Sequence, residues 1–219
     1  MYVPELYEPA DLAAMHAVIR DHPFGLLVLP TDGRQAGVHL PFVLDLDADA
    51  GPRGRLRAHL SGANPLAGAL EAGAEAMVVF TGPQSYICPD DYASEPHFPT
   101  WNYVAVHAYG TPRVLSEQEA FQQLTDLIAD QEGRLAPKPP WTLDRAPEGL
   151  TDQYRRMITA FELEIDRIEG IFKLGQNKQP EDIAAQAAAF RGRGTDSADT
   201  FAGWLESHRT DAGGSHEHH

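Results

Sequence analysis

The sequence predicts an α+β fold, with antiparallel strands at its centre and helices between and after them. Short β-rich runs are separated by turn residues such as Thr31-Asp32-Gly33, a pattern typical of hairpins. Residues 97–110 give the clearest strand signal, because successive side chains point to opposite faces of a strand. One face holds Val104 and Val106, and the other holds Tyr103, Ala105, His107 and Tyr109. The spacing of the strands suits a small barrel or a curled sheet.

The first half of the chain combines two helices with β-rich runs. Apolar residues recur at helical intervals over Leu12–Ile19, which predicts a first helix of about ten residues. Asn64 and Pro65 supply an N-cap and a first-turn proline for a short helix that ends near Gly73. The predicted strands of this half are residues 24–29, 37–46 and 55–60, as an antiparallel meander, and then residues 76–80.

The second half adds a long helix, a proline-rich loop and further strands. Ser116 and Glu119 form a capping box that begins a helix extending to Gly133. Residues 136–147 contain too many prolines for a regular element, so they are predicted as a loop. The remaining predicted elements are helices at 151–160 and 180–191 and strands at 84–88, 103–110 and 161–168.

The predicted organisation is one domain, residues 1–191, followed by a flexible acidic and polar tail, residues 192–219. After Gly192 the composition shifts to small and polar residues, which favours disorder with at most a short helix at 201–207. The final residues, 215–219, resemble an added purification sequence and carry no functional prediction. No apolar run predicts a membrane span or an export signal. The single cysteine, Cys88, suits a reducing compartment, so we expect a cytoplasmic protein.

Charge and motif content exclude several function classes. The 219-residue chain has 17 basic and 32 acidic residues and a net charge of −15, so its average field repels nucleic-acid phosphates. Direct DNA binding is therefore disfavoured. The sequence also lacks a phosphate loop, a dinucleotide-binding glycine fingerprint, a nucleophile elbow and a two-histidine zinc helix.

What remains is a set of short polar clusters beside the predicted strands. Their imidazoles, amides, hydroxyls and aromatic faces, without paired carboxylates, suit a flat heteroaromatic ligand with a phosphate tail. His39, His59 and His107 belong to separate strands without metal-ligand spacing, so no metal site is predicted. A structural zinc or iron, or haem ligation by one of these histidines, stays open as an alternative.

Six sequence blocks, taken in order, resemble the PaiB-like family of FMN-binding negative transcriptional regulators over residues 1–191. The resemblance implies a split β-barrel of the flavin-reductase and pyridoxamine-phosphate-oxidase type, flanked by helices. It also implies a homodimer that holds FMN, or a related phosphorylated heteroaromatic, in a groove between protomers. The matching blocks are Met-Tyr-x-Pro at the start, His39–Phe42, His59–Pro65, Phe80–Ile87, Pro99–Gly110 and Glu169–Lys178.

The same resemblance assigns candidate cofactor-binding residues. Lys173 is the expected phosphate partner, because ionised donors make the stronger hydrogen bonds, and Trp101 would stack on the ring or wall the groove. No catalytic residue is assigned. The candidates are Trp101, Asn102, Lys173, Gln176 and Asn177, with His59, Asn64 and His107 as second choices.

This chain departs from the family pattern at positions that bear on FMN affinity. Ser61-Gly62 stands where the family has Ala-Arg, which removes a guanidinium, and Gly175 replaces a serine of the Lys-Leu-Ser-Gln-Asn block. Cys88 likewise stands where the family has serine. A lost charged hydrogen bond costs about 1.5–3 kcal/mol and a neutral one about 1 kcal/mol, so FMN binding is expected to be weak.

The resemblance implies a flavin-responsive homodimeric regulator. The acidic charge favours action through a protein partner over direct binding to DNA. The alternatives are an FMN-dependent oxidoreductase, in which the protein orients the flavin, and a haem-binding split-barrel protein.

Overall fold

The structure of the protein, a computed structural model, describes residues 1–208, which contain six α-helices and nine β-strands. The helices are α1 Leu12–Asp21, α2 Leu66–Leu70, α3 Glu117–Gly133, α4 Leu150–Arg155, α5 Pro180–Arg191 and α6 Asp196–Ser207. The strands are β1 Phe24–Thr31, β2 Arg34–Pro41, β3 Val43–Asp45, β4 Arg55–Ser61, β5 Ala76–Ile87, β6 Thr100–Gly110, β7 Pro112–Val114, β8 Ile158–Glu164 and β9 Arg167–Lys173.

Two sheets account for all nine strands of the described residues. The larger sheet has the order β2-β1-β5-β6-β9, and the smaller one has the order β3-β4-β8-β7. The pairs β1–β2, β1–β5, β3–β4, β4–β8 and β7–β8 are antiparallel. The predicted α+β class with antiparallel strands is therefore confirmed. No helix among residues 1–208 has the length and apolar character needed to cross a membrane.

The chain divides into two compact units. The first unit consists of residues 1–11, residues 81–105 and the chain from Gly170 onward, and the second consists of residues 12–80 and 106–169. Strands β5, β6 and β9 contribute residues to both units. Each unit buries apolar side chains of its own, such as Phe190 and Phe201 in the first and Phe42, Phe80 and Phe161 in the second.

In the second unit, three phenylalanine rings pack together, and a tight turn joins β1 to β2. The Phe42 ring meets the edges or faces of Phe80 and Phe161 at centroid distances of 5.5 and 6.3 Å. Asp32 and Gly33 have φ values of 50° and 72°, as a two-residue turn between antiparallel strands requires. The hairpin predicted from Thr31-Asp32-Gly33 is thus confirmed, with β1 and β2 paired over eight positions.

Several predicted element boundaries were wrong. Residues 37–46 form two strands in different sheets, because Pro41 has no N–H to continue the ladder of β2 into β3. The separate strands predicted at 76–80 and 84–88 are one continuous strand, β5. The helix predicted at 151–160 ends at Arg155, and the β-branched Ile158 and Thr159 instead pair with β4. The long strand predicted at 161–168 is likewise the two strands β8 and β9.

The flexible tail predicted after residue 191 is not what the structure has up to residue 208. Helix α6 begins at a cap in which the Thr195 side chain accepts a hydrogen bond from the Ala198 N–H at 3.3 Å. The Phe201 ring packs on Phe190 of α5 at a centroid distance of 4.7 Å. Composition misled because a few buried apolar residues suffice to order a short capped helix against a neighbour. Residues 209–219 of the predicted tail lie outside the described residues.

Candidate functional site

The first unit contains a cleft of about 320 Å³ whose lining includes two lysines and two asparagines. Lys173 ends β9, Lys178 and Asn177 lie in the loop before α5, and Asn102 lies near the start of β6. Three of the five leading candidates, Asn102, Lys173 and Asn177, therefore line one cavity. The structure brings these three together, which the sequence blocks alone did not establish.

The two lysines of the cleft have no carboxylate partner among residues 1–208. The Lys173 ammonium donates to Thr100 Oγ1 at 2.8 Å. The Lys178 Nζ lies 3.3 Å from His97 Nδ1 and 5.4 Å from the centre of the Tyr92 ring. Both ammonium groups line one cleft, and neither is neutralised by a carboxylate of residues 1–208. In a strongly acidic chain, this arrangement favours the binding of an anion.

One buried carboxylate holds the wall of the cleft that contains His97. Asp182, 2% exposed, accepts hydrogen bonds from the Ala93 N–H at 3.1 Å, the Ser94 N–H at 3.0 Å and the Ser94 hydroxyl. Burial works to raise the pKa of Asp182, but the hydrogen bonds from Ser94 outweigh it, and the pKa is below its usual value. His97 Nε2 lies 3.0 Å from Ser94 Oγ, and its ring stacks on Tyr92 at 3.9 Å.

Sequence reasoning missed this supporting wall. Asp182 follows a helix-initiating proline and reads as an ordinary first-turn acid. Its partners Ala93 and Ser94 lie nearly ninety residues earlier, so spacing carries no signal of the contact. The acid after Pro180 would be a usable signal only if the geometry of the loop were already known.

Gln176 and Gly175 shape the loop between β9 and α5. Gln176 points back into its own loop, where its Oε1 accepts from the Leu174 N–H at 2.8 Å and its Nε2 donates to the Phe172 carbonyl. Gly175 has a φ of +82°, and a Cβ there would lie 2.8 Å from the Ile183 side chain. The glycine, expected only to remove a hydroxyl donor, also avoids the strain that a side chain would meet in this backbone conformation.

Trp101 does not line the cleft. It follows the alternation of β6 onto the face opposite Asn102, and it is 50% exposed while Asn102 is 2% exposed. Its indole N–H donates to Gln84 Oε1 at 2.7 Å, and its ring lies 6.3 Å from that of Tyr86.

The second-choice residues lie in the second unit and have separate surroundings. Asn64 Oδ1 accepts from the Leu66 N–H at 2.9 Å, which satisfies a donor at the start of α2. The His107 ring contacts Tyr109 edge-on at 6.4 Å, and burial lowers its pKa. His59 Nδ1 lies 3.0 Å from Gln123 Oε1, and burial lowers the pKa of His59 as well.

The histidines weighed as metal ligands do not form one group. His39 stacks on Phe24 at a centroid distance of 5.8 Å, whereas His59 and His107 have the partners given above. Among the residues that the structure describes, no three His, Cys, Asp or Glu side chains converge as metal ligands would.

Comparison with known proteins agrees with the family resemblance. The family model described as "Putative FMN-binding domain" matches residues 1–167, so the loop at 173–178 lies beyond the matched part. "Protease synthase and sporulation protein PAI 2" of Bacillus subtilis is 28% identical over 182 residues, which are 83% of this chain and 85% of that protein.

The names of two solved structures with related folds mention flavin or haem. The FAD and haem binding protein of Mycobacterium smegmatis has a TM-score of 0.58 at 19% identity, covering 84% of this chain and 80% of its own. The flavocytochrome Anf3 of Azotobacter vinelandii has a TM-score of 0.56 at 15% identity, covering 78% and 72%. These likenesses confirm the predicted split-barrel fold. Because the family model matches 167 of its 219 residues, the chain belongs to the family described as "Putative FMN-binding domain".

Proposed function

We propose that the protein binds FMN in the cleft of the first unit, with the ammonium groups of Lys173 and Lys178 holding the phosphate. The observation that supports this most directly is that neither lysine pairs with a carboxylate among residues 1–208. Thr100 and His97 contact these ammonium groups without neutralising them. A phosphate, with its charge and acceptor oxygens, would complete both sites.

The rest of the cleft fits the flavin ring system. The amides of Asn102 and Asn177 can both donate and accept, as the polar edge of an isoalloxazine ring requires. Tyr92 adds an aromatic surface, and the cavity of about 320 Å³ is at the small end of the range for ligand pockets. When bound, FMN supplies the redox-active and spectroscopically visible ring, while the protein binds and orients it.

We further propose that the protein acts as a homodimer whose second copy completes the groove. Large apolar side chains of the first unit are left exposed, with Phe98 87%, Trp101 50% and Tyr86 47% exposed. Aromatic residues of this kind are enriched in the cores of protein interfaces. Trp101, absent from the cleft lining, would then contribute to the groove through the dimer contact.

The proposed biological role is a flavin-responsive negative regulator in the cytoplasm. The name of the Bacillus relative links that protein to protease synthesis and sporulation, which supports a regulatory role by similarity. The net charge of −15 favours action through a protein partner over direct binding to DNA. The second candidate is an FMN-dependent oxidoreductase, favoured by the redox cofactors named in the two solved structures.

The test is a titration of the cofactor-free protein with FMN and, separately, with riboflavin, which lacks the phosphate. We expect micromolar FMN binding that Lys173→Met weakens at least tenfold, since a charged hydrogen bond is lost. Riboflavin binding should not change. Lys138→Met is the matched control, because Lys138 is exposed and pairs with Glu132 in the second unit.

Equal loss of FMN and riboflavin in Lys173→Met, or unchanged FMN affinity, would contradict the phosphate assignment. A nicotinamide donor then separates the two roles. Turnover in air, with the flavin band bleached and restored, supports the oxidoreductase, whereas stable binding without turnover supports the regulator.

A further inference from the structure

The second unit contains an apolar pocket of about 410 Å³ that shares no lining residue with the cleft. Leu124 and Ile128 of α3 form one wall, and Tyr154 of α4 and Trp141 of the proline-rich segment contribute others. His59 of β4 also lines it. Among the described residues that line it, Arg145 alone has a formal charge.

The walls of this pocket are held in place by hydrogen bonds. Glu132 near the end of α3 accepts from the backbone N–H of Trp141 at 2.8 Å and also pairs with the Lys138 ammonium. These contacts bind the proline-rich segment to the helix that it faces. The pocket is therefore a formed cavity, and the backbone at Trp141 is anchored at its edge.

His59 offers the pocket one hydrogen-bond acceptor. Its Nδ1 is 3.0 Å from Gln123 Oε1, an oxygen that can only accept, so Nδ1 carries the proton of the neutral ring. Nε2 is then the acceptor, and nothing else in residues 1–208 hydrogen-bonds to it. The lowered pKa of His59, caused by burial, is consistent with the neutral ring.

The side chain of Gln123, the partner of His59, is itself incompletely hydrogen-bonded. This residue is 0% exposed, and its Nε2 has no hydrogen-bond partner in the part of the chain that the structure describes. The neighbouring cation on β4 needs no ligand, because Arg57 pairs with Asp45 and Asp126. Buried polar groups are normally satisfied, so this unpaired amide shows that the polar contacts behind His59 are incomplete.

We propose that this pocket is a second ligand site, which binds a planar aromatic molecule whose hydroxyl or N–H group donates to His59 Nε2. The aromatic and aliphatic walls match the faces of such a ligand, and the single acceptor sets its orientation. Arg145 favours a neutral or anionic ligand over a cationic one. This site is separate from the proposed flavin cleft and does not depend on it.

The test uses two probes of nearly equal shape, 2-naphthol, which has a donor, and 2-methoxynaphthalene, which has none. Calorimetry on the full chain should show 2-naphthol binding on the order of fivefold tighter, the effect of one neutral hydrogen bond. In His59→Leu both probes should bind with equal affinity, while His39→Leu keeps the preference. Leu124→Trp fills the cavity and should abolish binding of both.

Equal affinity of the two probes for the wild type, or no binding of either, would overturn the proposal. So would a preference that persists in His59→Leu or binding that persists in Leu124→Trp. A Soret band on addition of haemin, lost in His59→Leu, would assign the pocket to haem and likewise overturn it. Because the wild-type ratio is itself decisive, the test stands even if His59→Leu fails to fold.

Discussion

The cleft of the first unit and the pocket of the second each contain a histidine, and the two differ in how that residue is satisfied. His97 has polar neighbours at both ring nitrogens, namely Ser94 and Lys178, and an aromatic ring stacked on it. His59 has one polar partner, Gln123, and apolar side chains around the cavity that it lines. The first arrangement suits a charged ligand and the second a largely apolar one, although both use the same residue type.

The two sites also differ in which interactions should contribute most to ligand binding. In the cleft, a charged network organises a loop, so single polar substitutions should be costly. In the pocket, most of the lining is apolar, so protonation of the His59 ring should affect ligand binding more than the loss of another polar group. Substitutions in one unit should leave ligand binding in the other unchanged.

The largest expected effect comes from removing the carboxylate that holds the cleft wall. Asp182→Ala leaves the N–H groups of Ala93 and Ser94 and the Ser94 hydroxyl without their acceptor. We expect a loss on the order of 3 kcal/mol in the free energy of unfolding, measured by urea denaturation, together with weaker FMN binding.

The neighbouring Glu181 is the matched control, because it is an exposed acid in the same helical turn. Glu181→Ala should cost less than about 1 kcal/mol, the usual size of a charge effect at a helix N-terminus. Equal losses in the two variants would show that Asp182 acts through the helix and not through the loop.

A smaller effect is expected at the loop beside Lys173. Gly175→Ser restores the residue of the family pattern but places a side chain at φ +82° and against Ile183. We expect it to destabilise the protein by about 1–2 kcal/mol and to give no gain in FMN affinity. Gly203→Ser in α6, where an added Cβ meets nothing within 4 Å, is the control. Tighter FMN binding by Gly175→Ser would show that the missing hydroxyl matters more than the backbone.

The smallest expected effect is a pH dependence that arises in the second unit. Burial lowers the pKa values of His22, His59 and His107 below 6.5. Below that pH these histidines therefore bind more protons in the unfolded chain than in the folded one. Their contribution to stability is present above about pH 6.5 and is lost as the pH falls. Between pH 7 and 5 the wild type should lose more stability in urea melts than His59→Leu does. Identical slopes would contradict a neutral buried His59.

Local signals in the sequence were sufficient for much of the fold. The capping box at Ser116 and Glu119, the alternation from Tyr103 to Tyr109 and the proline that begins α5 each act within a few residues. Such features are set by short-range hydrogen bonds and side-chain direction, so a single chain reveals them. The breaks between β2 and β3 and between β8 and β9 were missed, because a change of sheet leaves the strand pattern unaltered.

The candidate site was predictable only for residues that belong to a recognisable sequence motif. Lys173, Asn102 and Asn177 came from the family blocks, and the structure places them in one cleft. Gln176 and Trp101 belong to the same blocks, but a backbone turn and strand alternation direct them elsewhere. The Asp182 network and the His59 pocket depend on contacts between residues distant in sequence, for which one sequence has no signal.

The packing of α6 has a practical consequence for anyone who trims the chain. Composition suggests ending it at residue 191, but this cut would leave the Phe190 ring without Phe201 and the Arg191 guanidinium without Glu206. It would also remove Trp204, whose ring meets Phe172 immediately before Lys173. A truncation at residue 191 would thus remove packing from the strand that ends at Lys173.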